Sequence, residues 1–186
     1  MKNVSDHFYI QRVKAGDVQA FSGIVQKYQS MVLTVVMKIV ENREDAEDIT
    51  QEVFIKVFKS LEQFKEESEF STWLYRIAYN TTLSELRKRK ICFTTIEDHL
   101  PLAEEAINED VEACETEEKL RYLDQALHTL PPDEIFLITL YYREKQSVDD
   151  ISKISALSVS NVKVKLHRIR KKLALEMNKL MQDEKR

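Results

Sequence analysis

Five residues able to interrupt a helix are all that this 186-residue chain contains: Gly16, Gly23, Pro101, Pro131 and Pro132. Long stretches on either side of position 100 therefore carry nothing that breaks an α-helical hydrogen-bond ladder. Strands would need β-branched alternation bounded by turn residues, and no such run exceeds a few residues. The expected class is all-α. The length suits one sizeable domain or two small ones, and the charge distribution favours two.

Residues 1–90 hold 14 basic and 13 acidic side chains, residues 91–118 hold 0 and 10, and residues 119–186 hold 14 and 9. The overall charge of −4 thus conceals an acidic bridge between two flanking blocks with a slight and a clear basic excess. Each block has to be judged separately as a nucleic-acid binder. In the bridge helical periodicity fails and Pro101 intervenes, as in a linker. Cys92 and Cys114 are too few and too far apart for a zinc pattern or a disulfide framework, which fits a reducing compartment. The longest apolar run, Met31 to Met37, is far too short to span a bilayer, and no signal peptide is evident. These features lead to the expectation of a soluble, cytoplasmic protein.

In the first block Asp17 can cap a helix that continues to about Glu41, its buried stripe including Phe21, Ile24, Val25, Tyr28, Val32, Val35, Val36 and Ile39. Asn42 and Arg43 interrupt the pattern, and a second helix runs from near Glu44 to near Leu61. The polar loop FKEESEFST then leads into a long helix from about Thr72 to Lys90. In the second block Lys119 to Leu130 is amphipathic and stops at Pro131 and Pro132. Pro132, Asp133 and Glu134 make a favourable first turn for the next helix. Ser147 has the look of an N-cap, with Asp150 in the capping-box position. Val148, Ile151 and Ile154 form the buried side of that short helix. The turn SALS and a long helix from near Ser158 complete a helix-turn-helix.

Three surfaces carry chemistry. On the helix DAEDITQEVFIKVF, Ala46, Ile49, Val53, Phe54 and Val57 share an apolar arc, while Asp45, Asp48 and Glu52 line the other side. Ile55 projects beside Gln51, Asp48 and Glu52. An apolar side chain amid acids and an amide suits a protein partner with basic groups around a small apolar socket, although one stray exposed isoleucine is also ordinary.

The second surface lies on the helix from Thr72, where Trp73, Arg76, Asn80 and Arg87 fall on one stripe. An aromatic interleaved with cations and an amide can stack on unpaired bases and hold their backbone. The alternative is a Trp73 that belongs to the core, with merely solvated cations, and the basic end Arg87, Lys88, Arg89, Lys90 favours DNA. The third surface is the final helix, where Val162, Leu166, Ile169, Leu173 and Met177 form a narrow apolar face. Lys165, His167, Arg168, Lys171 and Lys172 lie nearly opposite, with Val164 among them. A solvated basic face would look the same. Placed second in a helix-turn-helix, however, with Ser158, Ser160, Asn161 and Lys163 at its N-terminal end, it is positioned to meet phosphates and base edges. Catalysis finds little support: His7, His99, His128 and His167 stand apart from one another, and neither HExxH nor GxxxxGK occurs. No cofactor or small-molecule substrate is implied.

DAEDITQEVFIKVF, FSTWLYRIAYN with its following RKRK, LPPDE and the VKVKLHRIRKKL helix, in this order and spacing, resemble the extracytoplasmic-function (ECF) sigma factors of bacterial RNA polymerase. The resemblance covers nearly the whole chain outside the acidic bridge. It implies a region 2-like domain over residues 1–90 that binds the core polymerase clamp and opens the −10 promoter element. It further implies a linker over residues 91–118 that threads polymerase channels, and a region 4-like helix-turn-helix over residues 119–186 that reads the −35 element. Asp45, Asp48, Gln51, Glu52 and Ile55 become the clamp-binding face. Phe64 to Thr72, with Phe64, Phe70, Ser71 and Thr72, becomes the loop that captures a flipped base, and Trp73, Arg76, Asn80, Arg87 and Lys88 become the melting surface. The −35 contacts fall to Ser158, Ser160, Asn161, Lys163, Val164, Lys165, His167, Arg168, Lys171 and Lys172. A membrane-linked anti-sigma factor is the implied restraint, holding the protein near the inner membrane. Ala156 replaces the usual turn glycine, and Asn161-Val162 and Val164-Lys165 replace frequent pairs of the recognition helix. These departures bear on promoter preference more than on fold.

Two other classes fit parts of this pattern. A stand-alone helix-turn-helix regulator would bind its operator unaided, whereas a sigma factor of this kind needs core polymerase. A metal-dependent nuclease built on the acids of the second helix would cut DNA in magnesium or manganese.

Overall fold

The computed structural model describes residues 5–40, 42–88 and 117–184. The acidic bridge with Pro101, Cys92 and Cys114, and the Arg89 and Lys90 half of the basic end, lie outside the described residues. Eight α-helices occur among the described residues, and no strand.

Helix α1, Asp6–Lys14, is not foreshadowed by any clean apolar periodicity. Gly16, at φ +97°, reverses the chain after it, while Gly16 and Asp17 donate backbone hydrogen bonds to the Val13 and Arg12 carbonyls. That left-handed conformation suits a residue without a Cβ and ends the helix. Asp17 caps as expected, its carboxylate accepting from the Ala20 amide at 3.3 Å. The capped element is a single 3₁₀ turn, Val18–Ala20, which runs on into α2, Phe21–Met37.

The Asn42 side chain accepts from the Asp45 amide at 3.1 Å and caps α3, Arg43–Ser60. The residue expected to break one helix thus starts the next. Helix α4, Phe70–Lys88, begins two residues earlier than the sequence suggested. Ile24, Val32, Val35, Val36, Ala46, Ile49, Val53, Val57, Leu74 and Ala78 form the core of this first unit.

In the second unit α5, Glu117–Leu127, ends before Pro131, and α6, Pro132–Tyr142, starts with Pro132 at its first position. Apart from half-buried Asp133, α6 is enclosed from Pro132 to Leu140, so it is the central helix about which its neighbours pack. Ser147 caps α7, Val148–Ser155, accepting from the Asp150 amide at 3.1 Å while its hydroxyl donates to the Asp150 carboxylate. The turn into α8, Val159–Asp183, passes through Ala156 at φ +58° and is held by the Ser152 hydroxyl on the Leu157 carbonyl at 2.6 Å. Ile151, Ile154, Val162, Leu166 and Ile169 close the helix-turn-helix core.

The two units pack on each other, an arrangement that the amino-acid pattern does not disclose. Helix α4 presents a second buried side to α6 and α7. The Tyr75 hydroxyl donates to Glu144 at 2.7 Å, and the Tyr79 ring meets Phe136 edge-on at 5.0 Å. Lys38 pairs with Asp124 at 2.9 Å nearby.

Candidate protein-docking and nucleic-acid interfaces

The capped, amphipathic α3 buries its apolar arc and turns the acid row outward. Asp48 and Gln51 are exposed, Asp45 and Glu52 are half-buried, and Glu52 lies 3.5 Å from Lys56 one turn on. Ile55 is 47% exposed. It is not isolated: an open groove of about 440 Å³ runs beside it, walled by Val18, Phe21, Phe54 and Phe58. Phe58 follows Ile55 at i+3 and could have been found from helical spacing, whereas Val18 and Phe21 arrive from another element. Acidic and apolar surface lie side by side, a combination that matches basic groups around an apolar projection.

The loop before α4 and the stripe along it divide into exposed and covered residues. Arg76, Asn80, Arg87 and Lys88 are exposed and Ser71 is half-buried. The Lys88 ammonium pairs with Glu85 at 2.7 Å, and that hydrogen bond raises its pKa. Phe64 and Phe70, expected in the loop that captures a flipped base, are core residues at 5% and 3% exposure. Their ring centroids lie 5.0 and 5.7 Å from that of Trp73. Trp73 is half-buried, so it joins this aromatic cluster and still offers an edge to solvent, combining the two sequence-based alternatives. Thr72 is covered too, its hydroxyl 3.5 Å from Asp150 of α7. In this conformation the side chains of Phe64, Phe70 and Thr72 pack inward instead of meeting a base. The reason is tertiary: α1 and α7 cover a segment whose composition reads as solvent-facing.

Helix α8 starts at Ser158, whose hydroxyl accepts from the Asn161 amide at 3.2 Å. Ser160, Asn161, Lys163, His167 and Lys171 are exposed, while Val164 and Arg168 are half-buried. Lys165 and Lys172 turn toward α6 instead of open solvent. Lys165 pairs with Asp133, and Lys172 with the buried Glu134 at 3.1 Å. Their charges neutralise the acidic first turn of α6, a requirement that α8 alone does not reveal.

Burial and then the Glu144 hydrogen bond raise the pKa of Tyr75 well above the ordinary phenol range, so the contact between the units joins a neutral donor to a carboxylate. Burial and then Asp133 push Tyr79 up to about 12. The hydrogen bond from Lys38 lowers Asp124 below its ordinary value. Among the described residues no group of three or more His, Cys, Asp or Glu is placed to hold a metal, and no helix is long and apolar enough to cross a membrane.

Comparison with known proteins places two family matches on these units: sigma-70 region 2 over residues 24–91 and sigma-70 region 4 over residues 120–173. The ECF RNA polymerase sigma-E factor of Haemophilus influenzae is 32% identical, the alignment covering 97% of this chain and 99% of that protein. The RNA polymerase sigma-H factor of Pseudomonas aeruginosa is 31% identical over 96% of each. The ECF RNA polymerase sigma factor SigW of Bacillus subtilis is 31% identical over 92% of this chain and 96% of its own. Among solved structures, CnrH in complex with the cytosolic domain of CnrY aligns at a TM-score of 0.66 and 18% identity, covering 93% of this chain and 97% of that one. RpoE of Bartonella quintana in complex with the anti-sigma factor NepR aligns at 0.64 and 21%, covering 87% and 98%. The two structural likenesses bear on the fold.

Proposed function

The chain belongs to the extracytoplasmic-function (ECF) sigma factors, which direct promoter-specific transcription initiation by RNA polymerase, and from that premise we propose how its surfaces divide the work. The observation that carries the proposal is the exposed Ile55 amid Asp48, Gln51 and Glu52, beside the Val18 and Phe58 groove. The acid row beside Ile55, with Lys56 and Lys59 at its edge, supports steering of a basic partner, and the apolar groove supports affinity. This face, with Asp45, is assigned to the core polymerase clamp.

Residues 1–90 then serve the clamp and the −10 element, residues 91–118 link, and residues 119–186 serve the −35 element. On α4 the exposed Arg76 and Asn80 hold the unpaired strand, the accessible edge of Trp73 stacks, and Arg87 and Lys88 meet phosphates. Unstacking a base costs a few kcal/mol, and each aromatic contact returns about 1–3 kcal/mol, so opening sits near balance and single side chains decide it. On α8 the Ser158 to Lys163 turn, His167, Arg168 and Lys171 face the −35 duplex. Lys165 and Lys172 contribute once their pairs with Asp133 and Glu134 yield to phosphate. The protein acts without catalysis of its own, in the cytoplasm. Restraint by an anti-sigma factor is supported by the two solved neighbours, one a complex with the cytosolic domain of CnrY and the other a complex with the anti-sigma factor NepR. Linkage of that restraint to the membrane follows the family pattern.

The test is Asn80→Ala with core polymerase on linear promoter DNA. The variant is expected to fold, to form closed complexes and to fail at permanganate-detected opening, with partial rescue on a template pre-melted across the −10 element. Normal opening of duplex promoters by the folded variant would remove the stripe assignment.

A further inference from the structure

Helix α1 belongs to none of the surfaces assigned above, yet it is anchored on α2 by several contacts. At its start the Asp6 carboxylate accepts from Lys27 at 2.6 Å and from the Tyr28 hydroxyl at 2.7 Å, both on α2. One turn later Ile10 is buried, and Tyr9 lies across Gly23 so closely that a Cβ there would fall within the van der Waals radius of its ring. The ring can lie this near α2 only because Gly23 lacks a side chain.

The other edge of α1 grips the loop that precedes α4. His7, Gln11 and Lys14 stand at i, i+4 and i+7, one stripe of a helix. His7 Nδ1 lies 2.9 Å from Glu66 Oε2, and Gln11 Nε2 donates to Glu66 Oε1 at 3.0 Å. Lys14 Nζ donates to the Phe64 carbonyl at 2.8 Å. Glu66 adopts φ +61°, a region that residues with a Cβ enter at an energetic cost. The segment so held ends in Phe64 and Phe70, the two rings on which Trp73 rests.

The contacts of His7 and Gln11 are exposed and individually weak, and that of Lys14 is partly buried, but they converge on one short loop from a helix anchored on α2. We infer that α1 is a clasp: Gln11 and Lys14, assisted by His7, are positioning residues that hold the Phe64 to Phe70 loop, and through it Trp73, in the geometry that selects the unpaired −10 base. The inference rests on the assignment of the α4 stripe to single-stranded DNA.

The experiment uses the full chain with core polymerase and a library of promoters varied singly across the −10 element. Gln11→Ala/Lys14→Met is expected to keep core binding and closed-complex formation, to reduce opening about five- to tenfold, and to flatten base preference at one −10 position. Lys14→Arg, which retains a donor, should keep both at the parental level. Glu66→Gly approaches the same contact from the loop, keeping the backbone conformation while removing the carboxylate, and should flatten the same position. A structural role alone would lower the melting temperature without changing base preference. If the double variant unfolds, Glu66→Gly decides the question. Parental opening and preference in these variants overturn the clasp, and if Asn80→Ala still fails to open duplex DNA alongside them, the stripe assignment survives that loss. If Asn80→Ala also opens normally, it is the underlying assignment that has failed.

Discussion

Replacing Tyr75 with Phe removes one oxygen atom from the contact between the two helical units and leaves the ring in place. Tyr75 is fully buried, and its hydroxyl donates to Glu144 at 2.7 Å. A hydrogen bond to a charged acceptor contributes about 1.5–3 kcal/mol. Glu144 is exposed enough to recover water when the donor is gone, so the lower end of that range applies. Because Phe fills the same space, no cavity term is added. A loss of about 1.5 kcal/mol multiplies the ratio of undocked to docked molecules about tenfold. The assay is energy transfer between dyes placed on exposed sites of α2 and α8, with scattering as a check on the radius of gyration. Tyr28→Phe is the control, since its hydroxyl makes the same kind of bond, to Asp6 at 2.7 Å, wholly inside the first unit. It should lower the melting temperature without separating the dyes. An unchanged dye distribution in Tyr75→Phe, at a sensitivity that resolves a tenfold shift, would refute the claim that this bond holds the units together.

Reversing Asp48 and Glu52 to Lys should abolish co-purification with core polymerase, while thermal melts move by no more than the roughly 0.5 kcal/mol typical of surface substitutions. Ala156→Gly relieves a left-handed conformation that costs an L-residue about 1–2 kcal/mol, offset by about 0.4–1 kcal/mol of unfolded-chain entropy. The expected result is a melting temperature equal to or slightly above that of the parent; a clear drop would contradict it. The lowered pKa of Asp124 means that its pair with Lys38 contributes above the unfolded-state value and is lost as pH falls through the folded one, below about pH 4. Exposure keeps the effect under about 1 kcal/mol. The dye distance measured from about pH 5 to about pH 3 should show an acid-dependent component that disappears in Lys38→Gln.

Side-chain periodicity is a local property, and what depends on it was readable directly. The all-helical class follows from the scarcity of breakers, the Ser147 cap with Asp150 from capping chemistry, and the exposure of Asp48, Gln51 and Ile55 from angular position on α3. Where burial depends on a distant element, the amino-acid order was silent or misleading. Phe8, Tyr9, Ile10 and Val13 crowd α1 without a clean stripe, and the helix owes its place to Tyr9 on Gly23 and to Asp6 on Tyr28. Phe64 and Phe70 sit among glutamates in a segment that reads as solvent-facing, yet α1 and Trp73 enclose them. Lys165 and Lys172 look like free cations on α8 and are drawn in by Asp133 and Glu134, far earlier in the chain. The docking of the units through Tyr75, Tyr79 and Thr72 was equally hidden, because a helix buried on two sides shows only a broader apolar arc and does not name what covers the second. Helix formation is decided within a few residues by backbone and caps. The partner of each helix face is decided by which surfaces, far apart in the chain, complement each other in shape and charge once the chain is compact.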